Sequence, residues 1–319
     1  MPFVMPAIIT HHLFGTDVYG ELASIIGSED AARDAFLLGN QGPDPLLFLR
    51  VFPLGAFVRK IGGLMHAERP SELLLTFHER FVDSRPADEA DILRAYALGF
   101  LCHYLLDSAV HPLVFAQQRA DCDSGVEGLS RKHDWHGIHF LIEAELDEYV
   151  LASKLGVTVR EFPPHREILR CPVEALAPIS MAYADVARAM YGKGVPTQLF
   201  AASVGLYRFV QLMLDERRSP IVQRIDYARL AGSHFLAVDT LTHSGTLRVD
   251  TPFANHDHVP WPHHHNLGEV VSESFDDLFV SAFSRALEVL PRFARRDVML
   301  DDCCAITCGR NFSGKIVEL

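Results

Sequence analysis

One apolar stretch, ALGFLCHYLLDSAVHP, constrains this chain most, because it carries three ionisable side chains at helical spacing. His103, Asp107 and His111 follow one another at intervals of four residues, so a helix places them within an arc of about 80° on one face. The other residues are mostly apolar, which predicts a buried helix. Buried ionisable groups are costly unless they are paired or bind metal. We therefore interpret this stretch as the central helix of a metal site.

The spacing also indicates more than one metal ion. Histidine and aspartate are ordinary zinc ligands. The rise from His103 to His111 is about 12 Å at roughly 1.5 Å per residue, whereas zinc–ligand bonds are only about 2 Å long. The two histidines are therefore expected to bind different ions, with the Asp107 carboxylate placed to bridge metals.

Further candidate ligands come from four other segments within the first 143 residues. His139 and Glu143 lie one turn apart on a predicted helix, which is a common way to supply two ligands to one ion. Asp44 lies in the turn GPDP, where prolines restrict the backbone. Taken alone, Asp44 also fits a turn former, and His139 with Glu143 fits a solvated helix face. His66 and His11 taken alone are more typical of surface or packed core histidines.

The periodicity of apolar residues predicts an all-α fold, a multi-helix bundle around the metal cluster. Helices are predicted over residues 28–38, 46–58, 70–81, 86–115, 134–151, 173–191, 196–216 and 269–290. Gly62-Gly63 is expected to break the helical pattern, and residues 119–131 are expected to form a loop. No repeat or linker is evident, so residues 1–319 are expected to form a single domain, with 232–268 and 297–319 irregular and peripheral.

Composition narrows the class of protein. A net charge of −12 argues against a general nucleic-acid coat, which needs a basic face. It does not argue against a metal-centred enzyme, because bound zinc supplies positive charge where a phosphate would lie. No secretory signal or membrane-spanning run is evident, and the six cysteines show no disulfide pattern. A cytoplasmic location is therefore the expectation.

Several motifs together resemble the zinc-dependent phospholipase C family. The central ones are GNQGPD, GFLCHYLLDSAVHP and the H-x-x-x-E of His139 and Glu143, and T-H-x-x-F-G precedes them at residues 10–15. A W…N…SF-x-x-L element follows them, formed by Trp261, Asn266, Ser274, Phe275 and Leu278. The resemblance implies the all-helical fold and trinuclear zinc site that this family shares with fungal single-strand nucleases.

The resemblance also implies which side chains hold each zinc ion. The first ion would be held by Asp44, His66, His103 and Asp107, the second by His111, His139 and Glu143, and the third by His11 and bridging Asp107. In secreted family members the processed N-terminal residue completes the third site, and no segment to be removed is evident here. Two or three zinc ions are therefore expected, with His12 as an alternative to His11.

The family's chemistry implies phosphodiester hydrolysis, in which a metal hydroxide attacks phosphorus in line. Asp44 and Asp107 are the expected catalytic residues, Asp44 as general base and Asp107 as metal bridge. Phospholipid head groups are the first expected substrate, with transient contact to a membrane surface and no stable nucleic-acid partner. The apolar residues 46–58 would then line a lipid-binding cleft, or else form a core helix.

Two alternative functions remain open at this point. The first is a single-strand nuclease or 3′-nucleotidase, in which Tyr104, Trp135 and His136 are candidates to stack on bases. The second is a non-catalytic, metal-stabilised binding protein. The histidine-rich residues 256–265 are expected to form a loop packed around Trp261, because prolines interrupt them and their spacing matches no helix face.

Overall fold

Helices make up most of the described chain, which confirms the prediction of an all-α fold. The computed structural model describes residues 7–51, 59–83, 87–123, 131–213, 247–263 and 265–318. Its α-helices within these ranges are α1 Ile8–Ile26, α2 Asp30–Gly39, α3 Arg59–Ala67, α4 Pro70–His78, α5 Ala87–Asp123, α6 Arg131–Leu155, α7 Pro164–Glu167, α8 Val173–Tyr191, α9 Leu199–Met213, α10 Phe275–Phe293 and α11 Leu300–Thr307.

Shorter elements connect these helices. Asp44–Val51 and Pro252–Ala254 are 3-10 helices, and Glu79–Asp83 is a π-helical extension of α4. Two short strands, β1 Trp261–His263 and β2 Asn266–Val271, pair in an antiparallel ribbon. β1 and the start of β2 lie in the region predicted to be irregular, so the predicted histidine-rich loop is partly a strand, and β2 continues to Val271, inside the predicted final helix.

The helix α5 lies at the centre of the bundle. It packs against α1, α2, α6, α8 and α10. Among the described residues it provides the one helix that is long and apolar enough to cross a membrane, over Ile92–Asp123, and 78% of the apolar window there is buried inside the protein. Such burial is typical of a core helix.

Two glycines allow α2 to lie directly against α5. A β-carbon at Gly39 would come within 2.3 Å of the Tyr96 carbonyl oxygen, and one at Gly99 within 2.0 Å of the Phe36 carbonyl oxygen. Only backbones without side chains approach this closely. The contact places residues 40–44, which follow α2, beside the metal-site face of α5.

The first turn of α1 is fixed by a carboxylate from α6. The buried Asp147 side chain accepts hydrogen bonds from the backbone N–H groups of Ile9, at 3.1 Å, and Thr10, at 2.7 Å. N–H groups in the first turn have no partner within their own helix. The contact holds His11, the next residue, against α5.

Some predicted boundaries are wrong. Gly62-Gly63 does not break the helix, since α3 continues through it to Ala67. A β-carbon at Gly62 would approach the Leu47 side chain to 3.0 Å, so close packing accounts for this glycine. The predicted helix over 46–58 is a 3-10 helix as far as Val51, and residues 52–58 lie outside the described residues.

Other boundaries also shift. The helix α5 continues to Asp123, well beyond the predicted end, so the predicted loop is at most residues 124–130, which lie outside the described part. The last long helix begins at Phe275, because Ser274 forms a capping box with Asp277. The tail is not merely irregular: it contains α11 and an isolated bridge between Arg310 and Ile316.

Candidate metal centre

The eight predicted ligands meet in three groups, each of which could hold a metal ion. The ligand atoms of each group lie within 4.8 Å of one another. Site A is Asp44, His66 and His103; site B is His111, His139 and Glu143; site C is His11, His103 and Asp107. His103 and His111 belong to different groups, in agreement with the helical rise between them.

Site A lies where the turn after α2 and the helix α3 meet α5. His66 Nε2 is 2.9 Å from Asp44 Oδ1, and His103 Nε2 is 3.8 Å from the same oxygen. Asp107 faces the site as well, since its Oδ2 is 3.3 Å from His103 Nε2. Asp44, His66 and His103 could therefore hold one metal ion, with Asp107 beside them.

Site B joins α5 to α6. Glu143 Oε1 lies 3.2 Å from His139 Nε2 and 3.4 Å from His111 Nε2. Asp107 Oδ2 is 3.7 Å from Nδ1 of His111, the nitrogen that points away from the Glu143 carboxylate. Site B thus offers three side chains that could hold a metal ion.

Hydrogen bonds orient all four histidine rings of sites A and B. Each ring has a hydrogen-bond acceptor 2.7–3.1 Å from its Nδ1. For His66, His103, His111 and His139 respectively, the acceptors are the backbone oxygens of Gly62, Asn40 and Phe312 and the side-chain oxygen of Gln118. An Nδ1–H that donates to such an acceptor leaves the Nε2 lone pair for a metal, the arrangement usual for histidine ligands.

Three buried atoms in these groups have no hydrogen-bond partner. They are Asp44 Oδ2, His103 Nε2 and Glu143 Oε2. Leaving a buried polar atom unpaired costs about 1–3 kcal/mol, and more for a charged group. Cations bound in sites A and B would satisfy His103 Nε2 and Glu143 Oε2, so the donor set fits a metal centre.

Site C lies deeper, against α1. His11 Nε2 is 3.0 Å from Asp107 Oδ1, and His11 Nδ1 is 3.2 Å from Nδ1 of His103. A cavity of about 20 Å³ adjoins His11 and Asp107. Thr10 also lines the cavity, and its buried hydroxyl has no hydrogen-bond partner. Asp107 thus presents one oxygen to His11 and the other to site A.

His12 does not take part in the centre. Its ring packs 5.9 Å from the ring of Phe162. Burial, with a smaller contribution from the positive charges of Arg170 and Arg33, lowers the pKa of His12 to about 4. Of the two adjacent histidines, His11 is the one that faces Asp107.

Charges within the centre act on one another strongly. Burial disfavours the ionised Asp107, but His111, His103 and His11 outweigh it and hold the pKa of Asp107 well below its usual range. Burial likewise opposes a charge on His111, but the Asp107 and Glu143 carboxylates outweigh it and raise the pKa of His111 to about 10. Burial dominates at His103 and lowers its pKa to about 4.

Sites A and B open into one cleft of about 420 Å³. Leu47, Phe115 and Phe312 give it an apolar wall, and Asn311 and Ser313 add polar atoms. No lysine or arginine is among the described residues that line the cleft. The positive charge needed to bind an anion would therefore come from metal ions.

The C-terminal segment forms part of the centre and is not peripheral. Phe312 is 1% exposed, its backbone N–H donates to the His66 carbonyl oxygen at 3.2 Å, and its own carbonyl oxygen accepts from His111. The side chain of Asn311 donates to the Ala67 carbonyl oxygen. Sequence reasoning missed these residues because their backbone contacts have no residue-type signature.

Gly42 is a further residue of the centre for which no role was predicted. Its φ is +49°, and a β-carbon there would lie 2.1 Å from Cδ2 of His103. Glycine adopts such a conformation without strain. The motif GNQGPD, where Gly42 lies, carried a signal for this position, because its second glycine allows the turn to lie flat against the histidine ring.

The structure places the aromatic residues that were predicted to stack on bases or to anchor a loop. Tyr104 is buried and its hydroxyl donates to the carbonyl oxygen of Arg310, so its proposed stacking role is wrong. Trp135 is partly buried against the core, and the side chain of His136 lies outside the described residues. Trp261 is buried and donates to the Glu273 carbonyl oxygen, which agrees with the packing role predicted for it.

Comparison with known proteins adds nothing to this geometry. No family model, curated protein or solved structure matched the chain. The assignment of the centre therefore rests on its own side chains, their distances and their hydrogen-bond partners.

Proposed function

We propose that the chain is a zinc-dependent phosphoester hydrolase, a phosphodiesterase of the phospholipase C type that releases phospholipid head groups. The observation that carries the proposal is the opening of two ligand groups, sites A and B, into a single cleft. Imidazole nitrogens and carboxylate oxygens are zinc ligands. Clustered zinc ions lower the pKa of water and offset charge on a phosphoryl group.

The chain would hold two or three such ions. Asp107 would join site A as a fourth ligand, and site C would hold a third ion through His11 with Asp107 as the bridge. Asp107 suits this role because it is buried and its two oxygens face different histidines, His11 and His103. A carboxylate fixed in this way keeps neighbouring ligand groups at a constant separation.

Asp44 is the candidate general base. It lines the cleft, and its Oδ2 has no hydrogen-bond partner while Oδ1 faces His66. A carboxylate oxygen free of other partners can accept a proton from water in the cleft. The apolar wall of Leu47, Phe115 and Phe312 would exclude bulk water and contact the carbon atoms of the substrate.

The cleft also bears on substrate class. Its volume of about 420 Å³ falls within the roughly 300–1,000 Å³ of typical small-molecule sites. A head group fits this scale, whereas a long nucleic acid would need a basic track, and the net charge of the chain is −12. Transient contact with a membrane surface and a cytoplasmic location belong to the same proposal.

A hydrolysis assay of the zinc-loaded protein tests the proposal. The three substrates are bis-p-nitrophenyl phosphate, short-chain phosphatidylcholine and single-stranded DNA. We expect hydrolysis of the first and release of a phosphorylated head group from the second. Faster turnover of DNA or of 3′-nucleotides would favour the nuclease alternative. Zinc binding without hydrolysis of any substrate would contradict the proposal and favour a metal-stabilised binding protein.

A further inference from the structure

A buried glutamine on α5 contacts two successive turns of α6. Gln118 is 0% exposed and lies seven residues after His111. Its Nε2 donates a hydrogen bond to the backbone oxygen of Trp135, and its Oε1 is 3.1 Å from His139 Nδ1. Trp135 and His139 are four residues apart on α6, so one amide spans a full helical turn.

These contacts determine which ring nitrogen of His139 carries the proton. A backbone carbonyl only accepts hydrogen bonds, so the NH₂ group of Gln118 must face Trp135. The oxygen of Gln118 then faces His139, and Nδ1 must be the protonated nitrogen. The Nε2 lone pair of His139 is left facing Glu143 Oε1, 3.2 Å away, in site B.

Gln118 differs from the groups that orient the other three histidines of sites A and B. His66, His103 and His111 donate to backbone carbonyl oxygens, which no side-chain substitution removes. We propose that Gln118 is a positioning residue for site B, which fixes the tautomer and ring orientation of His139 and thereby sets the metal affinity of that site. This inference rests on the proposed function, since it takes site B to be a metal site.

Three variants separate positioning from general stability. Gln118→Leu removes both hydrogen bonds, Gln118→Glu keeps an acceptor for His139 but loses the donor to Trp135, and Gln117→Leu is a matched control at the neighbouring position on α5. Each protein, freed of metal, is titrated with Co²⁺ and followed by visible absorption. Thermal unfolding is measured alongside.

We expect Gln118→Leu to weaken Co²⁺ binding at one site by about 10–100-fold, the range found when a hydrogen-bond partner of a metal ligand is removed. Gln118→Glu should bind as tightly as wild type although it too loses stability, and Gln117→Leu should bind unchanged. Unchanged affinity in Gln118→Leu would overturn the proposal. So would an equal loss in Gln118→Leu and Gln118→Glu, because the lost Trp135 bond would then be the cause.

A measurement on the unmutated chain covers the case in which a variant fails to fold. Nitrogen-15 NMR of histidine-labelled protein reports which ring nitrogen is protonated, and His139→Gln assigns the signal. We expect Nδ1 of His139 to be protonated and Nε2 to change on metal binding. The opposite tautomer would overturn the proposal. Neither readout involves hydrolysis, so an inactive protein would count against the proposed function alone.

Discussion

Asp107 is the side chain on which the charges of the centre converge. Its Oδ1 lies 3.0 Å from His11, and its Oδ2 lies 3.3 Å from His103 and 3.7 Å from His111. Burying a carboxylate costs several kcal/mol unless positive charge compensates it. At this position the histidines supply that compensation, and a metal ion would supply more.

Replacing Asp107 with Asn should separate the sites. The substitution keeps the shape but removes the charge that faces His11 and His103, so sites A and C should lose metal while site B keeps its three ligands. We expect hydrolysis to fall by more than the roughly 100-fold upper range for partners of metal ligands. Activity assays with elemental analysis measure both effects.

Asp121→Asn, on the same helix, is the control for that substitution and should retain activity and metal. Full activity in Asp107→Asn would contradict the assignment of Asp107. If Asp107→Asn loses thermal stability and the zinc-loaded wild-type protein hydrolyses no substrate, the centre has a structural role.

His111 predicts how stability depends on pH without metal. Its pKa rises from the ordinary value of 6.5 to about 10 because Asp107 and Glu143 outweigh burial. A raised pKa in the folded state stabilises the protein fully below pH 6.5, and this stabilisation is lost as pH rises from 6.5 to 10. Denaturant unfolding in chelator should therefore show falling stability across this window.

Bound zinc should stabilise the protein more strongly as pH rises, opposite to the loss of stability in the metal-free form. Metal binding displaces the proton from its histidine ligands, so affinity increases with pH. The difference in unfolding free energy between zinc-loaded and metal-free protein should therefore widen from pH 6.5 to 10. If the unfolding free energies of the zinc-loaded and metal-free proteins change with pH in parallel, metal does not replace a proton on His111, and His111 is not a ligand.

The C-terminal segment completes the centre to which α5 contributes His103, Asp107 and His111. Phe312 contacts site A through its N–H bond to the His66 backbone and site B through its carbonyl bond to His111. Its ring lies 5.0 Å from the ring of His66 and 5.6 Å from that of His103. One residue near the chain end therefore supports ligands from α3 and α5 together.

Replacing Phe312 with Ala should affect stability and metal binding at once. Removing a buried phenylalanine side chain costs about 3–5 kcal/mol, and the cavity would free the rings of His66 and His103. We expect weaker zinc binding, measured by competition with a chromogenic chelator, and a lower free energy of unfolding. Ile316→Ala, at an exposed position of the same segment, should change stability by no more than about 0.5 kcal/mol. Unaltered zinc affinity in Phe312→Ala would contradict this role.

The sequence predicts elements well where the signal is local. The helix α8 begins and ends as predicted, and the four-residue spacing on α5 places three ligands on one face. Prediction from the sequence fails where tertiary contacts determine the local structure. Gly62-Gly63 remains helical because α3 packs closely on Leu47, although glycine in a helix costs about 1 kcal/mol relative to alanine. The carbonyl of Phe312 has no residue-type signal at all.

In the site, too, some residues could be predicted from the sequence and others could not. Side-chain ligands such as His139 and Glu143 are visible in a sequence because the chemistry requires their residue types and their spacing. The acceptors that orient them are mostly backbone oxygens, which every residue carries. Gln118 is the exception, and only the crossing of α5 and α6 reveals its role.

Taken as a whole, the molecule is a helical bundle built around buried charge. Each candidate ligand comes from α1, the turn after α2, or one of the helices α3, α5 and α6, so the fold must be complete before the ligands meet. Metal that binds only the folded chain stabilises it by mass action. Chelation should therefore lower the unfolding temperature of the whole bundle in a single transition.

The zinc content of the purified protein decides whether the eight side chains form a metal centre. After reconstitution with zinc and gel filtration, elemental analysis should give two or three zinc ions per chain, two in sites A and B and a third where site C is filled. Less than one zinc ion per chain would contradict the assignment of a metal centre, because the histidines and carboxylates of the cluster would then be a network of buried ion pairs.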